Sequence, residues 1–162
     1  MYAVIVVLVY GWTLLRFSYN LPGWLYFLNL GEIASVVAYG MVINLLESIL
    51  VLLGVIAAAS VLPNRWFANA FIARGASLSI LALGLMMVIA NQFRTRDDYP
   101  TDLIRWSPLL MLLIAGVVYF LGNMRRTRRL LEFFADRAII FLYITIPVSI
   151  ISLIVVLFRL IF

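Results

Sequence analysis

Five apolar segments separated by short polar stretches run along the chain. They cover residues 2–17, 30–62, 67–90, 107–121 and 138–161. A helix needs about 20 predominantly apolar residues to cross a bilayer, with about 17 as the lower limit. The pattern therefore predicts an all-α, polytopic transmembrane helical bundle that forms a single integral-membrane domain over residues 1–162. Five spans are expected, or four if the first segment does not cross.

Two of the predicted spans contain a residue that weakens a helix. Segment 30–62 would be roughly 48 Å long, which exceeds the ~30 Å hydrocarbon core, so it must tilt, protrude or break. Gly40 is its weakest point. Segment 138–161 carries Pro147, and neighbouring hydroxyl groups can bond to the carbonyls that a proline frees. Those hydroxyls belong to Thr145, Ser149 and Ser152. A single kinked helix is expected there.

Two amphipathic stretches join the predicted spans. Residues 21–30 are rich in aromatic side chains and open with Pro22 and Gly23, which predicts a turn and a short interfacial segment. Residues 124–137 interleave arginines with leucine and phenylalanine, a pattern typical of an amphipathic helix on the membrane surface. Tryptophan prefers the membrane interface, and all four tryptophans lie near predicted span ends. They are Trp12, Trp24, Trp66 and Trp106.

Composition narrows the class of protein further. The chain is 66% hydrophobic and 12% charged, with a mean hydropathy of +1.14, which excludes a soluble globular protein. It has no Cys and no His, so it lacks thiolate nucleophiles, disulfides, the usual haem ligand and the commonest zinc ligand. Asp97, Asp98 and Asp102 lie among arginines and are read as a solvated, self-paired loop. No cofactor, metal site or catalytic residue is expected.

Glu47 is the most informative single residue, because it lies in the middle of the second predicted span. An ionisable group at that depth is a site hypothesis by default. Asn44 and Tyr39 are its polar neighbours, and the three are predicted to be buried and to form a candidate proton site. Three interpretations remain open. A neutral Glu47 bonds to a neighbouring helix and fixes its register, or the carboxyl carries protons or cations, or it contacts another subunit.

The arginines are the second group of candidates. Arg16 and Glu32 both fall at one membrane edge and are predicted to form an interfacial ion pair. The basic stretch after the fourth span is predicted to contact anionic lipid head groups or an acidic partner, not nucleic acid. Its arginines are Arg125, Arg126, Arg128 and Arg129. Five spans split the twelve arginines seven to five, which favours an amino terminus inside the cell.

Three stretches carry a resemblance: Leu21–Ile33, Leu45–Ser48 and Ala135–Pro147. They resemble a group of multi-span membrane proteins from filamentous green phototrophic bacteria and their relatives. The resemblance implies no activity and no catalytic residue. It implies a multi-pass protein of the bacterial plasma (inner) membrane, and it favours a small accessory subunit of an electron-transfer complex.

The leading functional hypothesis is a non-enzymatic accessory or scaffolding subunit of a larger membrane complex. Its expected partners are membrane lipids and either other membrane subunits or further copies of the chain. The alternative is a small proton- or ion-coupled transporter or channel that uses Glu47. An intramembrane enzyme would need a nucleophile–base or two-acid constellation, and none is evident in the sequence.

Overall fold

The computed structural model describes residues 1–61, 71–92, 109–110, 113–120 and 124–161. Throughout these residues the regular secondary structure is helical, with no strand. The long helices are α1 (Tyr2–Phe27), α2 (Leu30–Val61), α3 (Phe71–Gln92) and α4 (Arg125–Ile161). Each of the four is long and apolar enough to cross a membrane. The predicted all-α membrane fold is confirmed.

The predicted turn at Pro22 and Gly23 is wrong, because α1 continues through both residues to Phe27. A proline-glycine turn of type II needs a positive φ at the glycine, and no described glycine has one. Proline's own φ is close to the helical value. An edge-to-face contact between Phe17 and Trp24, with ring centroids 5.4 Å apart, spans the proline and supports the helix across it.

The helical conformation is interrupted at Leu28 and Asn29, between α1 and α2. Asn29 caps α2, because its carbonyl accepts from the amides of Glu32 and Ile33 at 2.9 and 3.0 Å. The Glu32 carboxylate accepts in turn from the Asn29 amide at 2.8 Å. This is the glutamate half of a capping box, with Glu32 at the third helical position. The predicted second span corresponds to one continuous helix, Leu30–Val61, and Gly40 does not break it.

The fourth predicted span, 107–121, is described as a helix only over residues 113–120. The Arg74 guanidinium, near the start of α3, lies 5.6 Å from the ring centroid of Tyr119. Helix α3 is roughly 33 Å long and carries the chain that far from its own start. The contact with Arg74 places Tyr119 near the start of α3 again. The predicted fourth span lies in part outside the described residues and stays a prediction.

The predicted amphipathic loop and the fifth span are one continuous helix. α4 has 37 residues and includes both the arginine-rich stretch and Pro147. Met124 begins it by accepting from the Arg128 amide at 3.0 Å. The basic stretch therefore does not form a separate element, because leucine, alanine and phenylalanine between the charges are compatible with a helix that runs on into the apolar segment.

Two compact units make up the chain. One consists of Met1 with Gly54–Asp136, and it contains α3, the helical segment 113–120 and the Arg74–Tyr119 contact. The other consists of Tyr2–Leu53 with Arg137–Phe162, so it contains α1, most of α2 and the apolar part of α4. The second unit, called the three-helix unit below, holds most of the polar groups that the sequence marks as candidates.

Candidate functional site

One face of α2 is buried and carries uncharged polar groups. Met41, Asn44, Ser48 and Val55 are all buried, with relative exposures between 0% and 8%. Their spacing of three, four and seven residues is the seam of a left-handed helix pair. These four residues are called the inner seam. Small and polar side chains are frequent at such contacts between membrane helices, because they allow close approach and hydrogen bonding.

Helix α1 donates hydrogen bonds across this seam to α2. The Thr13 hydroxyl donates to Asn44 Oδ1 at 2.8 Å. Tyr2 and Ser48 lie with their hydroxyl oxygens 3.1 Å apart. Ser48 already donates to the carbonyl of Leu45 at 2.8 Å, so its single proton is used and Tyr2 is the donor to Ser48 Oγ.

The same arrangement joins α1 to α4 through Tyr10. Its hydroxyl lies 2.7 Å from Ser149 Oγ, and both side chains are almost completely buried. Ser149 donates to the carbonyl of Thr145 at 2.7 Å, so Tyr10 donates to Ser149. The Met41 carbonyl, at 3.4 Å, is a second and longer acceptor for Tyr10. In these three interhelical hydrogen bonds the donors therefore lie on α1, and the acceptors lie on α2 and α4.

The α4 side of this network also follows a seam of small and hydroxyl residues. In the three-helix unit the buried α4 residues are Ala138, Thr145, Ser149 and Ser152. Thr145 donates to the carbonyl of Phe141 at 2.9 Å. The carbonyl that Pro147 frees belongs to Tyr143, four residues earlier. The Thr145 and Ser149 hydroxyls were expected to bond to such a carbonyl, but they donate to the carbonyls of Phe141 and Thr145 instead.

One donor in the inner seam has no acceptor. Asn44 is 3% exposed, its Oδ1 accepts from Thr13, and its Nδ2 has no hydrogen-bond partner. A buried donor without an acceptor loses its hydration without compensation. The Asn44–Thr13 bond therefore stabilises the pair by less than an ordinary interhelical hydrogen bond does.

Gly40 permits a close approach of α1 to α2. A Cβ atom built on Gly40 would lie 2.5 Å from Cζ of Phe17, which is closer than real side chains allow. The edge-to-face contact between Phe17 and Trp24 restricts movement of the Phe17 ring away from Gly40. The residue that the sequence marks as a weak point of α2 is therefore the place where an aromatic ring of α1 meets the α2 backbone.

Glu47 does not lie in this network, and the prediction that it is buried is wrong. It is exposed on the outer side of α2. At 3.6 residues per turn it lies about 100° around the helix from Ser48, the most buried residue of the inner seam. The polar stripe of α2 that contains Glu47 and Tyr39 is thus not its buried face. Tyr39 is also exposed, at 40%, whereas Asn44 is buried.

Arg16 and Glu32 are not paired with each other in the described residues, so the predicted ion pair is wrong. Glu32 caps α2 through the Asn29 amide. The Arg16 guanidinium lies 4.6 Å from the ring centroid of Trp12, one turn earlier in α1, as a cation–π contact. Capping takes precedence for Glu32 because its own backbone supplies a donor three residues away.

The arginine-rich stretch forms the first turns of α4. Arg128 Nε donates to Glu132 Oε1 at 2.8 Å, an exposed pair four residues apart. Arg129 is exposed, as are Phe133 and Phe134. The side chains of Arg125 and Arg126 lie outside those that the structure describes.

The sequence interpretation missed Tyr2, Tyr10, Thr13 and Ser48, which carry the interhelical hydrogen bonds together with Asn44 and Ser149. The available signal was the repeat of hydroxyl and small residues at intervals of three and four in α2 and α4. Among the described residues, no three or more His, Cys, Asp or Glu side chains come together. Asp97, Asp98 and Asp102 lie outside the described residues.

Comparisons of the chain with protein-family models, with curated proteins and with solved structures give no match.

Proposed function

We propose that the chain is a non-enzymatic accessory or scaffolding subunit of a larger membrane complex. The observation that carries this proposal is the exposed position of Glu47 in the middle of α2. A carboxyl group that faces acyl chains costs a few kcal/mol unless it is neutral and hydrogen-bonded or paired. A neighbouring protein helix that supplies such a partner offsets this cost. The outer face of α2 therefore fits protein better than it fits lipid.

The interior of the three-helix unit is consistent with a structural role. Tyr2, Tyr10 and Thr13 donate to acceptors on other helices, and Ser48 and Ser149 donate to carbonyls of their own helices. The protons of Tyr2, Tyr10 and Thr13 therefore join α1 to other helices, whereas those of Ser48 and Ser149 are used within their own helices. Such bonds between membrane helices average about 0.6 kcal/mol and reach about 1.7 kcal/mol. They give the unit a defined register that a binding surface on α2 requires.

The cellular setting is part of the same proposal. The resemblance noted above supports a bacterial plasma membrane and an electron-transfer complex as the larger assembly. The exposed Arg129 and the exposed phenylalanines 133 and 134 in the first turns of α4 fit contact with anionic lipid head groups. Each arginine near an anionic surface contributes about 1 kcal/mol to membrane association.

Purification from the native membrane tests this proposal. The chain is extracted in a mild detergent, and the proteins that co-purify are identified by mass spectrometry. We expect the chain to elute in an assembly much larger than a monomer, and Glu47→Leu to shift it toward the free form. A monodisperse free chain in both samples contradicts the proposal.

The transporter alternative makes a different prediction for the same residue. Proton or ion flux through reconstituted wild-type protein that Glu47→Gln abolishes would support transport, since glutamine keeps hydrogen bonding but cannot carry a proton. Tyr39→Phe, an exposed site eight residues away on the same helix, is the matched control. If Glu47 serves assembly alone, wild type and both variants give the same background flux.

A further inference from the structure

A second seam runs along the outside of α2. Ile43, Glu47, Leu50 and Gly54 are spaced four, three and four residues apart, and all four are exposed. Ile43 is 54% and Leu50 66% exposed. Intervals of three and four residues also separate Met41, Asn44 and Ser48, the inner-seam residues that lie within the three-helix unit. These four residues are called the outer seam.

The outer seam has the two features that a close helix pair needs. Gly54 has no atom within 4 Å of the place where a Cβ would stand, so its backbone is open to a close neighbour. Glu47 supplies a single polar group between apolar residues. A lone polar residue in such a seam fixes the register of two helices, because any shift leaves it without a partner.

The chemistry of Glu47 indicates which partner fits. In its protonated form a carboxyl group carries one donor and further acceptor capacity, so a second identical carboxyl satisfies it completely. Two copies that insert into the membrane with the same orientation pair with their α2 helices parallel. A two-fold axis along the membrane normal then places each outer-seam residue opposite its own copy. Glu47 meets Glu47, and Gly54 meets Gly54.

We propose that two copies of the chain pair through the outer seam of α2, with the two Glu47 carboxyl groups bonded to each other across the axis. This inference rests on the proposed function, since it takes the exposed Glu47 to be a subunit contact and names a second copy as the partner. A different protein would have to bring its own donor to the same depth. A second copy brings the complementary group by symmetry.

The absence of cysteine from the sequence makes a direct test available. Leu50→Cys and Ile43→Cys each place one thiol in the outer seam. Ile49→Cys is the matched control, because Ile49 is exposed at the same depth but lies about 100° around the helix from Leu50. Native membranes are oxidised with copper-phenanthroline, and the cross-linked products are separated and identified by mass.

Leu50→Cys and Ile43→Cys should give disulfide-linked dimers at roughly ten times the yield of Ile49→Cys. Adding Glu47→Leu to Leu50→Cys should reduce the dimer yield by roughly the same factor, and adding Glu47→Gln should largely retain it, since an amide also both donates and accepts. Equal yields at positions 49 and 50, or a yield unaffected by Glu47→Leu, would overturn the proposal.

The identity of the cross-linked products distinguishes failure of this inference from failure of the proposed function. Glu47-dependent adducts of Leu50→Cys with a different protein would overturn pairing of identical copies and leave the accessory-subunit proposal intact. No adduct of any kind at positions 43 and 50 would contradict both. Thermal unfolding of each variant, which we expect to match wild type because these side chains are exposed, confirms that a lost dimer is not a lost fold.

Discussion

The two faces of α2 differ in the kind of polar group they carry. The inner seam holds Asn44 and Ser48, both uncharged and both bonded to α1. The outer seam holds Glu47, which is ionisable and exposed. Both faces are otherwise apolar and have a similar spacing. The difference shows that in this helix uncharged hydrogen-bonding groups join α2 to α1, whereas the carboxyl group lies on the exposed face.

This difference could not be read from hydropathy. In water an apolar face turns inward, but lipid is as apolar as a protein interior, so hydrophobicity does not select one face of a membrane helix over the other. What selects the inner face of α2 is the match with α1. Phe17 needs the gap at Gly40, and the hydroxyls of Tyr2 and Thr13 need acceptors.

The largest difference in unfolding free energy is expected between two single substitutions of adjacent residues, Ser48→Leu and Glu47→Leu. Ser48 is 0% exposed, so Ser48→Leu overfills the inner seam and removes the acceptor of Tyr2. It should lower the free energy of unfolding by about 3 kcal/mol. Glu47→Leu should change it by less than about 0.5 kcal/mol. Unfolding of the monomer in mild detergent, followed by circular dichroism, measures both, and equal losses would erase the distinction between the faces.

A smaller loss of unfolding free energy is expected from substituting Gly40. Gly40→Ala places a methyl group against the Phe17 ring and should cost about 1–2 kcal/mol of unfolding free energy. Gly54→Ala, where no atom is near, should be neutral or should stabilise α2 by up to about 1 kcal/mol. The same unfolding assay applies. Phe17→Leu should restore part of the loss in Gly40→Ala, and failure to do so would indicate that the ring is not the obstacle.

Substituting Tyr10 or Tyr39 by Phe removes only a hydroxyl group, so the two variants compare a buried with an exposed hydroxyl. Tyr10→Phe removes the donor to Ser149 and should cost about 1 kcal/mol, whereas Tyr39→Phe, on the exposed side of α2, should cost nothing measurable. A double-mutant cycle with Ser149→Ala should give a coupling energy of about 0.5–1.5 kcal/mol. A coupling of zero would mean that the bond contributes nothing in the membrane.

The smallest change in unfolding free energy is expected at the Thr13–Asn44 pair, where Asn44 Nδ2 has no hydrogen-bond partner. Replacing Thr13 by Val and Asn44 by Leu together removes one hydrogen bond and also removes the unpartnered Nδ2, so the net change should lie within about 0.5 kcal/mol. Thr13→Val alone should cost about 1 kcal/mol, because it leaves Asn44 Oδ1 buried without a donor. A double variant that loses much more than the single one would show that Nδ2 has an acceptor in the membrane.

The sequence predicted the fold class, and four of its five predicted spans coincide with long apolar helices in the described residues, because length and hydropathy decide whether a helix can span. It did not predict the helix ends around Pro22 and before Ala138, since a proline inside a helix and a basic amphipathic stretch are each compatible with continuation. It also placed Glu47 inside. The burial of a carboxyl depends on which neighbouring helix supplies a matching surface, and the periodicity of α2 alone carries two candidate seams.

The bond between Tyr10 and Ser149 joins residues 139 positions apart. At a synthesis rate of about 5–20 residues per second, roughly 7 to 28 s separate the appearance of the tyrosine from that of its acceptor. During this interval α1 and α2 can already form a hairpin, since only Leu28 and Asn29 separate them, and the Met41 carbonyl is the acceptor within reach of Tyr10. A chain that ends before α4 is complete therefore leaves the Tyr10 hydroxyl with only the longer bond to Met41.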